Sequence, residues 1–244
     1  MMWREYVQEC LRVLEGSWSF SGTKMKQRWN AELTDTFVQK VASHGYTQQT
    51  TMDIQTVTEI LGGNFDAIAS DGALALRELA LRKDAKILDV GTGKGQFAIY
   101  LALQGYRVLT GEPETDTSRY AGQAWAANAE KVGVLDRIRF EHFEASRMPF
   151  ESEAFDAVFF FGVLHHIDEA ERKKVLSEAL RVAKREGVVV FFEPRKVILE
   201  RIWKDDPSHP LAANPSEYLA DASVTESKMQ GSFMDVYVYR KAVS

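Results

Sequence analysis

The chain has 244 residues, of which 45% are apolar, a composition that is ordinary for a globular protein. Its formal net charge of −5 provides no excess of Lys and Arg to attract phosphates, which disfavours nucleic acid as its partner. Cys10 is the one cysteine, which excludes a disulfide within this chain and a cysteine-based metal cluster, and a reducing, cytoplasmic setting is expected.

Residues 1–82 have the pattern of a helical region. The first helix is predicted to end at Gly16, because apolar residues before it recur at helical spacing at Trp3, Tyr6, Val7, Cys10, Leu11 and Leu14. Further helices are predicted over 29–43, 53–61 and 71–82, the last capped by Ser70 or Asp71. The opening MMWREYVQEC contains acidic residues and no apolar stretch, so no signal peptide is predicted. No apolar run approaches the about 20 residues that a membrane-spanning helix needs.

A glycine-rich turn follows the first predicted strand. The segment KILDVGTGKGQFAIYLA, residues 86–102, combines a buried strand, the start of a helix and three intervening glycines, Gly91, Gly93 and Gly95. Glycines let the backbone turn sharply and approach a ligand, while the exposed amides of a new helix favour anionic groups. Gln96 replaces the third glycine of a dinucleotide motif, and Lys94 does not fit a P-loop. The turn predicts a nucleotide-cofactor loop, with a purely structural turn as the alternative.

From Asp84 onward strands and helices alternate, which predicts a doubly wound α/β sheet. The expected strands lie at 86–90, 106–111, 137–143, 155–161 and 187–193, and the expected helices at 95–104, 117–132 and 168–184. Two further strand patterns, 224–229 and 233–239, flank Gln230 and Gly231 and predict an antiparallel hairpin.

The sequence D-x-G-x-G-x-G that starts at Asp89 resembles motif I of the class I S-adenosylmethionine (SAM) dependent methyltransferases. The predicted hairpin is similar to the last two strands of that fold. The chain most resembles the methyltransferase type 11 group, which has a core like that of the ubiquinone/menaquinone methyltransferases. The resemblance implies a Rossmann-like, mostly parallel seven-stranded sheet over residues 83–244, with SAM as the cofactor. Residues 1–82 lie outside the resemblance and are expected to form a helical cap.

The resemblance also implies a set of cofactor-binding residues. Glu112 ends the second strand, 23 residues after Asp89, where one carboxylate can accept hydrogen bonds from two ribose hydroxyls. The alternatives are that Glu112 is a solvated loop acid or that Asp116 makes the ribose contact. Glu144 and Ala145 take the places of the adenine-binding pair, in which a carboxylate accepts from the exocyclic amine. The complete expected set is Asp89, Gly91, Thr92, Gly93, Gly95, Glu112, Pro113, Glu144, Ala145 and Phe161.

Methyl transfer from a sulfonium is an in-line displacement that needs alignment and, for some acceptors, removal of a proton. His165 and His166 follow the fourth strand and are the candidate bases, with a structural loop as the alternative. No third ligand at suitable spacing accompanies them, so no metal site is predicted. Arg195, which ends the fifth strand, is a candidate to hold a substrate carboxylate or phosphate, or to form a surface salt bridge.

The sequence therefore predicts transfer of a methyl group from SAM to a small-molecule acceptor. The helical cap is expected to act as a lid whose aromatic residues enclose that acceptor, namely Trp18, Phe20, Trp29 and Tyr46. The alternatives are an RNA or protein methyltransferase and a non-catalytic SAM-binding subunit of a complex. The identity of the acceptor and the oligomeric state are not determined by the sequence.

Overall fold

The computed structural model describes residues 52–219 and 223–242. Six α-helices lie in this part of the chain: α1 Ile54–Leu61, α2 Phe65–Leu79, α3 Gln96–Leu103, α4 Trp125–Lys131, α5 Glu169–Val182 and α6 Lys196–Asp205. Seven strands accompany them: β1 Ile87–Val90, β2 Val108–Glu112, β3 Ile138–His142, β4 Phe155–Phe161, β5 Ala183–Pro194, β6 Val224–Gln230 and β7 Met234–Lys241. The predicted helices before residue 52 and the four proposed lid aromatics lie outside the described residues.

The seven strands form one sheet in the order β3-β2-β1-β4-β5-β7-β6. Strands β1 to β5 pair in parallel, and β7 runs antiparallel to both β5 and β6, which confirms the predicted sheet and its terminal hairpin. The strand order reverses at β1, so β1 lies between β2 and β4. Val90 pairs with Gly111 on one side and Phe160 on the other, so the carboxyl ends of these three strands are level. Ligands of such sheets bind in the crevice outside this reversal.

Two hydrophobic clusters cover the two faces of the sheet. Successive strand residues point to opposite faces, so Phe159 belongs to the cluster with α1 to α4, whereas Phe160 belongs to the cluster with α5. The same alternation separates Val190 from Phe191 in β5. The apolar runs that predicted buried strands are therefore explained by helices on both faces.

The helices α1 and α2 share the core of the sheet. Val57 and Phe65 are fully buried in the same cluster as α3 and one sheet face, so the packing shows no break at the predicted boundary between residues 82 and 83. The predicted bounds of the helix over 71–82 were wrong, because α2 begins at Phe65 and ends at Leu79. Asp71 is consequently not a cap. It lies within α2, where its buried carboxylate accepts hydrogen bonds from backbone amides of the β6–β7 turn.

The segment between β2 and α4 is a loop over most of its length, although the sequence predicted a helix over 117–132. The side chain of Asp116 accepts a hydrogen bond from the amide of Ser118 at 2.8 Å, a local bond that competes with helix formation. Gly122 has a φ of +62°, which a helix does not accommodate. Helix α6, which had not been predicted, follows β5 and buries Ile198 and Leu199. Among the described helices, none has the length and apolarity needed to cross a bilayer.

Candidate functional site

A cavity of about 570 Å³ opens at the carboxyl edge of the sheet, where β1, β2 and β4 end side by side. This volume is within the range of small-molecule sites. Eight of the ten residues predicted to bind the cofactor line it: Gly91, Thr92, Gly93, Glu112, Pro113, Glu144, Ala145 and Phe161. The other two, Asp89 and Gly95, lie outside its lining. The fold therefore brings together residues from four separate segments of the sequence.

The turn after β1 requires glycine at more than one position. Gly91 has a φ of +85°, and a Cβ atom there would lie 2.5 Å from Cγ2 of Val163. Gly95 has a φ of +74°, and a Cβ atom there would lie 2.9 Å from Cβ of Trp125. Both the backbone conformation and the close neighbours exclude a side chain at these two positions, so the turn requires glycine there.

A chain of hydroxyl groups supports the turn from beneath. The Thr110 hydroxyl donates to Oδ2 of Asp89 at 2.8 Å and lies 2.9 Å from the Thr92 hydroxyl, which is then the donor to Thr110. Asp89 is only 2% exposed, and its Oδ1 has no hydrogen-bond partner among the described residues. Burial raises the pKa of Asp89 to about 7. Asp89 thus fixes the turn through Thr110 and Thr92 rather than forming part of the cavity wall.

Glu112 joins the glycine turn to the loop after β2. Its Oε2 accepts a hydrogen bond from the amide of Gly93 at 2.9 Å, and its Oε1 accepts one from the amide of Gly122 at 2.8 Å. The residue is 6% exposed, and it contributes to the lining of the cavity. Each carboxylate oxygen has a second lone pair, so these two bonds leave acceptor capacity for two hydroxyl groups. This arrangement is compatible with the predicted contact to a ribose.

Glu144 and Ala145 lie beside this carboxylate on the cavity wall, after β3. Glu144 is exposed, and the Thr115 hydroxyl lies 3.4 Å from its Oε1. The neighbouring Phe143 is buried and packs edge to face against Phe150, with ring centroids 5.2 Å apart. The carboxylate of Glu144 therefore retains acceptor capacity for a ligand. The neighbouring backbone is held in place by the packing of Phe143.

An aromatic wall closes the cavity near the end of β4. Phe161 stacks on Phe97 of α3 with ring centroids 4.8 Å apart and an interplanar angle of 24°. Phe192 of β5 lies behind both rings, 4.8 Å from Phe161 and 5.1 Å from Phe97. Such a wall excludes water from reacting groups next to it.

The structure adds cavity residues that the sequence analysis missed. Several belong to the loop after β2 and the turn after β4: Tyr120, Gln123, Gly162 and Val163. No periodicity marks residues in these irregular segments. The Tyr120 hydroxyl donates to Oδ2 of Asp206 at 2.6 Å, and the guanidinium of Arg119 lies 3.6 Å from the same oxygen, so the loop is fixed against the end of α6.

His165 is buried and does not line the cavity. Its Nδ1 lies 2.8 Å from Oε2 of Glu193 in β5, and the same carboxylate oxygen accepts from the amide of Ala213 at 2.9 Å. The second oxygen of Glu193 is buried without a hydrogen-bond partner among the described residues. The Glu193 carboxylate orients the imidazole ring of His165 and thereby fixes its position behind the cavity.

His166, in contrast, is exposed and lines the cavity. Its ring centroid lies 4.2 Å from that of His165, 5.0 Å from that of His209 and 4.8 Å from that of Tyr120. These rings partly desolvate the imidazole, and the two other imidazoles repel its charged form, so the pKa of His166 is lowered. The ring is neutral near pH 7 and would hold an abstracted proton only weakly, which disfavours it as a general base.

Arg195 lies outside the cavity lining. Its guanidinium Nη1 donates to the backbone carbonyls of Gly231 and Ser232 at 3.0 and 3.3 Å, so it fastens the β6–β7 turn. Neither of the two predicted roles of Arg195, substrate binding or a surface salt bridge, matches these contacts.

Known proteins show a related sequence and fold. A family profile described as a methyltransferase domain matches residues 88–191. The chain is 33% identical over 111 residues to 27-O-demethylrifamycin SV methyltransferase of Amycolatopsis mediterranei, covering 45% of this chain and 38% of that protein. It is 31% identical over 155 residues to the ubiquinone/menaquinone biosynthesis C-methyltransferase of Allorhizobium ampelinum, covering 60% of this chain and 57% of that protein. The match therefore spans between 38% and 57% of the length of these two relatives.

A crystal structure of a SAM-dependent methyltransferase from Aquifex aeolicus has the same fold. It superposes with a TM-score of 0.53 at 20% identity, and the alignment covers 77% of this chain and 98% of that one.

Proposed function

Because its sequence and its fold identify the chain as a class I SAM-dependent methyltransferase, we propose that it transfers a methyl group from SAM to a small organic acceptor. The observation that carries this proposal is the convergence of the glycine turn, Glu112 and Glu144 on one cavity. When SAM is bound, its sulfonium centre supplies an activated methyl group. The residues of the chain bind and orient the reactants and exclude water.

The residues of the cavity fit the parts of SAM. The turn contributes Gly91 and Gly93 to the cavity lining, Glu112 retains acceptor capacity for ribose hydroxyls, and the exposed Glu144 retains acceptor capacity for the adenine amine. Phe161 provides an apolar surface next to these polar groups. We therefore assign the cofactor-binding role to the eight predicted residues that line the cavity, and a supporting role to Asp89 and Gly95.

A small acceptor is favoured by the chemistry of the cavity and by the relatives. The 27-O-demethylrifamycin and ubiquinone/menaquinone methyltransferases are named for small organic substrates. The cavity is also lined by Val163, His166 and Tyr120, which present apolar and aromatic surface to an acceptor. With a net charge of −5 the protein has no general attraction for an RNA backbone.

The proposal is tested in two steps with the purified chain. Calorimetry should detect binding of SAM, and the absence of binding at millimolar SAM would overturn the cofactor assignment. The chain is then incubated with methyl-labelled SAM and, separately, with a metabolite extract, total RNA and a protein extract. Label in the metabolite fraction is expected. Label only in RNA or protein would show that the acceptor is a macromolecule and not a small molecule. Binding of SAM without any transfer would favour a non-catalytic subunit.

A further inference from the structure

Three histidines that are separate in the sequence meet next to the cavity. His165 and His166 lie in the 3₁₀ turn after β4, whereas His209 lies in the segment after α6. One ring nitrogen of each lies within 4.8 Å of a ring nitrogen of the other two. The sequence analysis had predicted no metal site because it found no third ligand near His165 and His166. The tertiary structure supplies His209 as that third group.

The hydrogen bonds of the cluster determine which nitrogens are available. Nδ1 of His209 lies 3.0 Å from the carbonyl oxygen of Pro210, and a carbonyl only accepts, so this Nδ1 carries the proton. Nδ1 of His165 faces the carboxylate of Glu193 and is likewise the donor. In their neutral forms both rings therefore have a lone pair on Nε2. His166 makes no ring hydrogen bond within the described residues, so either of its nitrogens is free to bind a ligand.

We propose that His165, His166 and His209 bind a divalent transition metal ion of the zinc type. Three imidazoles with an open fourth position are a common donor set for zinc. The carboxylate of Glu193 behind His165 is the partner that metal-binding histidines usually have, because it fixes the tautomer and the orientation of the ring. The carbonyl of Pro210 does the same for His209.

The geometry needs only a small adjustment. Zinc bonds of about 2.0–2.1 Å in a tetrahedral site place ligand nitrogens roughly 3.3 Å apart. One ring nitrogen of each histidine lies within 4.8 Å of those of the other two, so the rings must approach one another, and the exposed His166 is less confined than its two buried neighbours. The ring of Tyr120 packs on His166 and His209 and limits the outer side of the cluster. The cluster contains no carboxylate ligand of its own, which disfavours magnesium and calcium.

A metal ion here would border the proposed acceptor site, because His166 lines the cavity. Its open coordination position would suit an oxygen atom of the acceptor, such as a hydroxyl or a carbonyl group. This use in catalysis rests on the proposed function. Binding of the metal does not, and it is measured without SAM or an acceptor.

The test is titration of metal-free protein with ZnCl₂ by calorimetry, followed by the visible absorption of the Co²⁺ form. One zinc ion per chain is expected, with little heat from MgCl₂. Loss of a residue that hydrogen-bonds to a metal ligand typically weakens metal binding about 10- to 100-fold, and Glu193→Gln should weaken zinc binding within this range. His166→Ala and His209→Ala each remove a ligand and should weaken it more. His142→Ala is the control, because His142 is an exposed histidine outside the cluster.

His166→Ala is the decisive variant, because the side chain is exposed and its removal leaves the core unchanged. Zinc affinity equal to that of the unsubstituted chain in both His166→Ala and His209→Ala would overturn the proposal. Equal weakening in His142→Ala would do the same, since it would indicate unspecific binding. Circular dichroism identifies any variant that fails to fold. A separate calorimetric titration with SAM shows whether protein that does not bind zinc still binds the proposed cofactor.

Discussion

The carboxylate of Asp71 in α2 accepts a hydrogen bond from the backbone amide of Met234, 163 positions further along the chain, at 2.7 Å. The amides of Ser232 and Phe233 donate to the same carboxylate at 2.6 and 2.9 Å. Asp71 is 1% exposed, and a Cβ atom on Gly231 would lie 2.5 Å from its Oδ1. The turn of the terminal hairpin is thus built around one acid of a helix at the other end of the described domain.

Replacing Asp71 should destabilise the fold without affecting the cavity directly. In Asp71→Ala three backbone amides, one of them fully buried, lose their acceptor and the buried carboxylate is removed, so we expect the free energy of unfolding to fall by about 2–4 kcal/mol. Urea denaturation measures the change. The control is Asp66→Ala in the first turn of the same helix, because Asp66 is exposed and its loss should cost less than about 1 kcal/mol. Similar stability of the two variants would contradict the role given to Asp71.

The glycine turn allows conformational strain and steric overlap to be separated. Gly91→Ala combines a positive φ with an overlap on Val163, whereas Gly133→Ala has a similar φ of +70° and open space around it. Strain alone is expected to cost about 1–2 kcal/mol, so Gly133→Ala should lose about that much and Gly91→Ala more. Gly91→Ala should also bind SAM more weakly in calorimetry. Adding Val163→Ala should recover part of the stability of Gly91→Ala, and no recovery would exclude the overlap as the cause.

The pH dependence of stability should reveal the raised pKa of Asp89. Its pKa is about 7 in the folded chain, against an ordinary value of 3.8 for an aspartate, so between these values the folded state binds a proton that the unfolded state has released. This group therefore makes the free energy of unfolding fall as pH rises from about 4 to about 7, by on the order of 4 kcal/mol in total. Asp89→Asn removes the titration. As pH rises, the free energy of unfolding of Asp89→Asn should increase relative to that of the unsubstituted chain. If the two free energies change with pH in the same way, the pKa of Asp89 is not raised.

Glu112 and Glu114 form a matched pair for the cofactor assignment. Both are acids in the same segment, but only Glu112 lines the cavity, and Glu114 is exposed. We expect Glu112→Ala to weaken SAM binding by about 1–3 kcal/mol, because charge-assisted hydrogen bonds to the ribose are lost. Glu114→Ala should leave the affinity unchanged. Calorimetry at constant pH measures both variants, and an unaltered dissociation constant for Glu112→Ala would contradict the assignment.

Much of the fold follows from local pattern in the sequence. The buried runs that include Leu88 and Phe159 predicted parallel strands, and the structure places them side by side in the centre of the sheet. The glycine turn was recognised because Gly91 and Gly95 need conformations that other residues avoid. The first and last residues of α2 were not predicted correctly. Phe65 and Ile68 in its first turn are buried in the core, and that packing rather than a local cap determines where the helix begins.

Sequence alone determined the seven strands, the glycine turn and the acids that follow the parallel strands, because hydrophobic period and backbone preference are properties of neighbouring residues. Only the tertiary structure decided the partners of side chains that are distant in sequence. It placed His209 beside His165 and His166, Asp71 under the hairpin turn, and the carboxylate of Asp89 beneath the cavity rather than on its wall. Such partners depend on where loops return to the sheet, and the path of a loop is determined by packing over the whole domain.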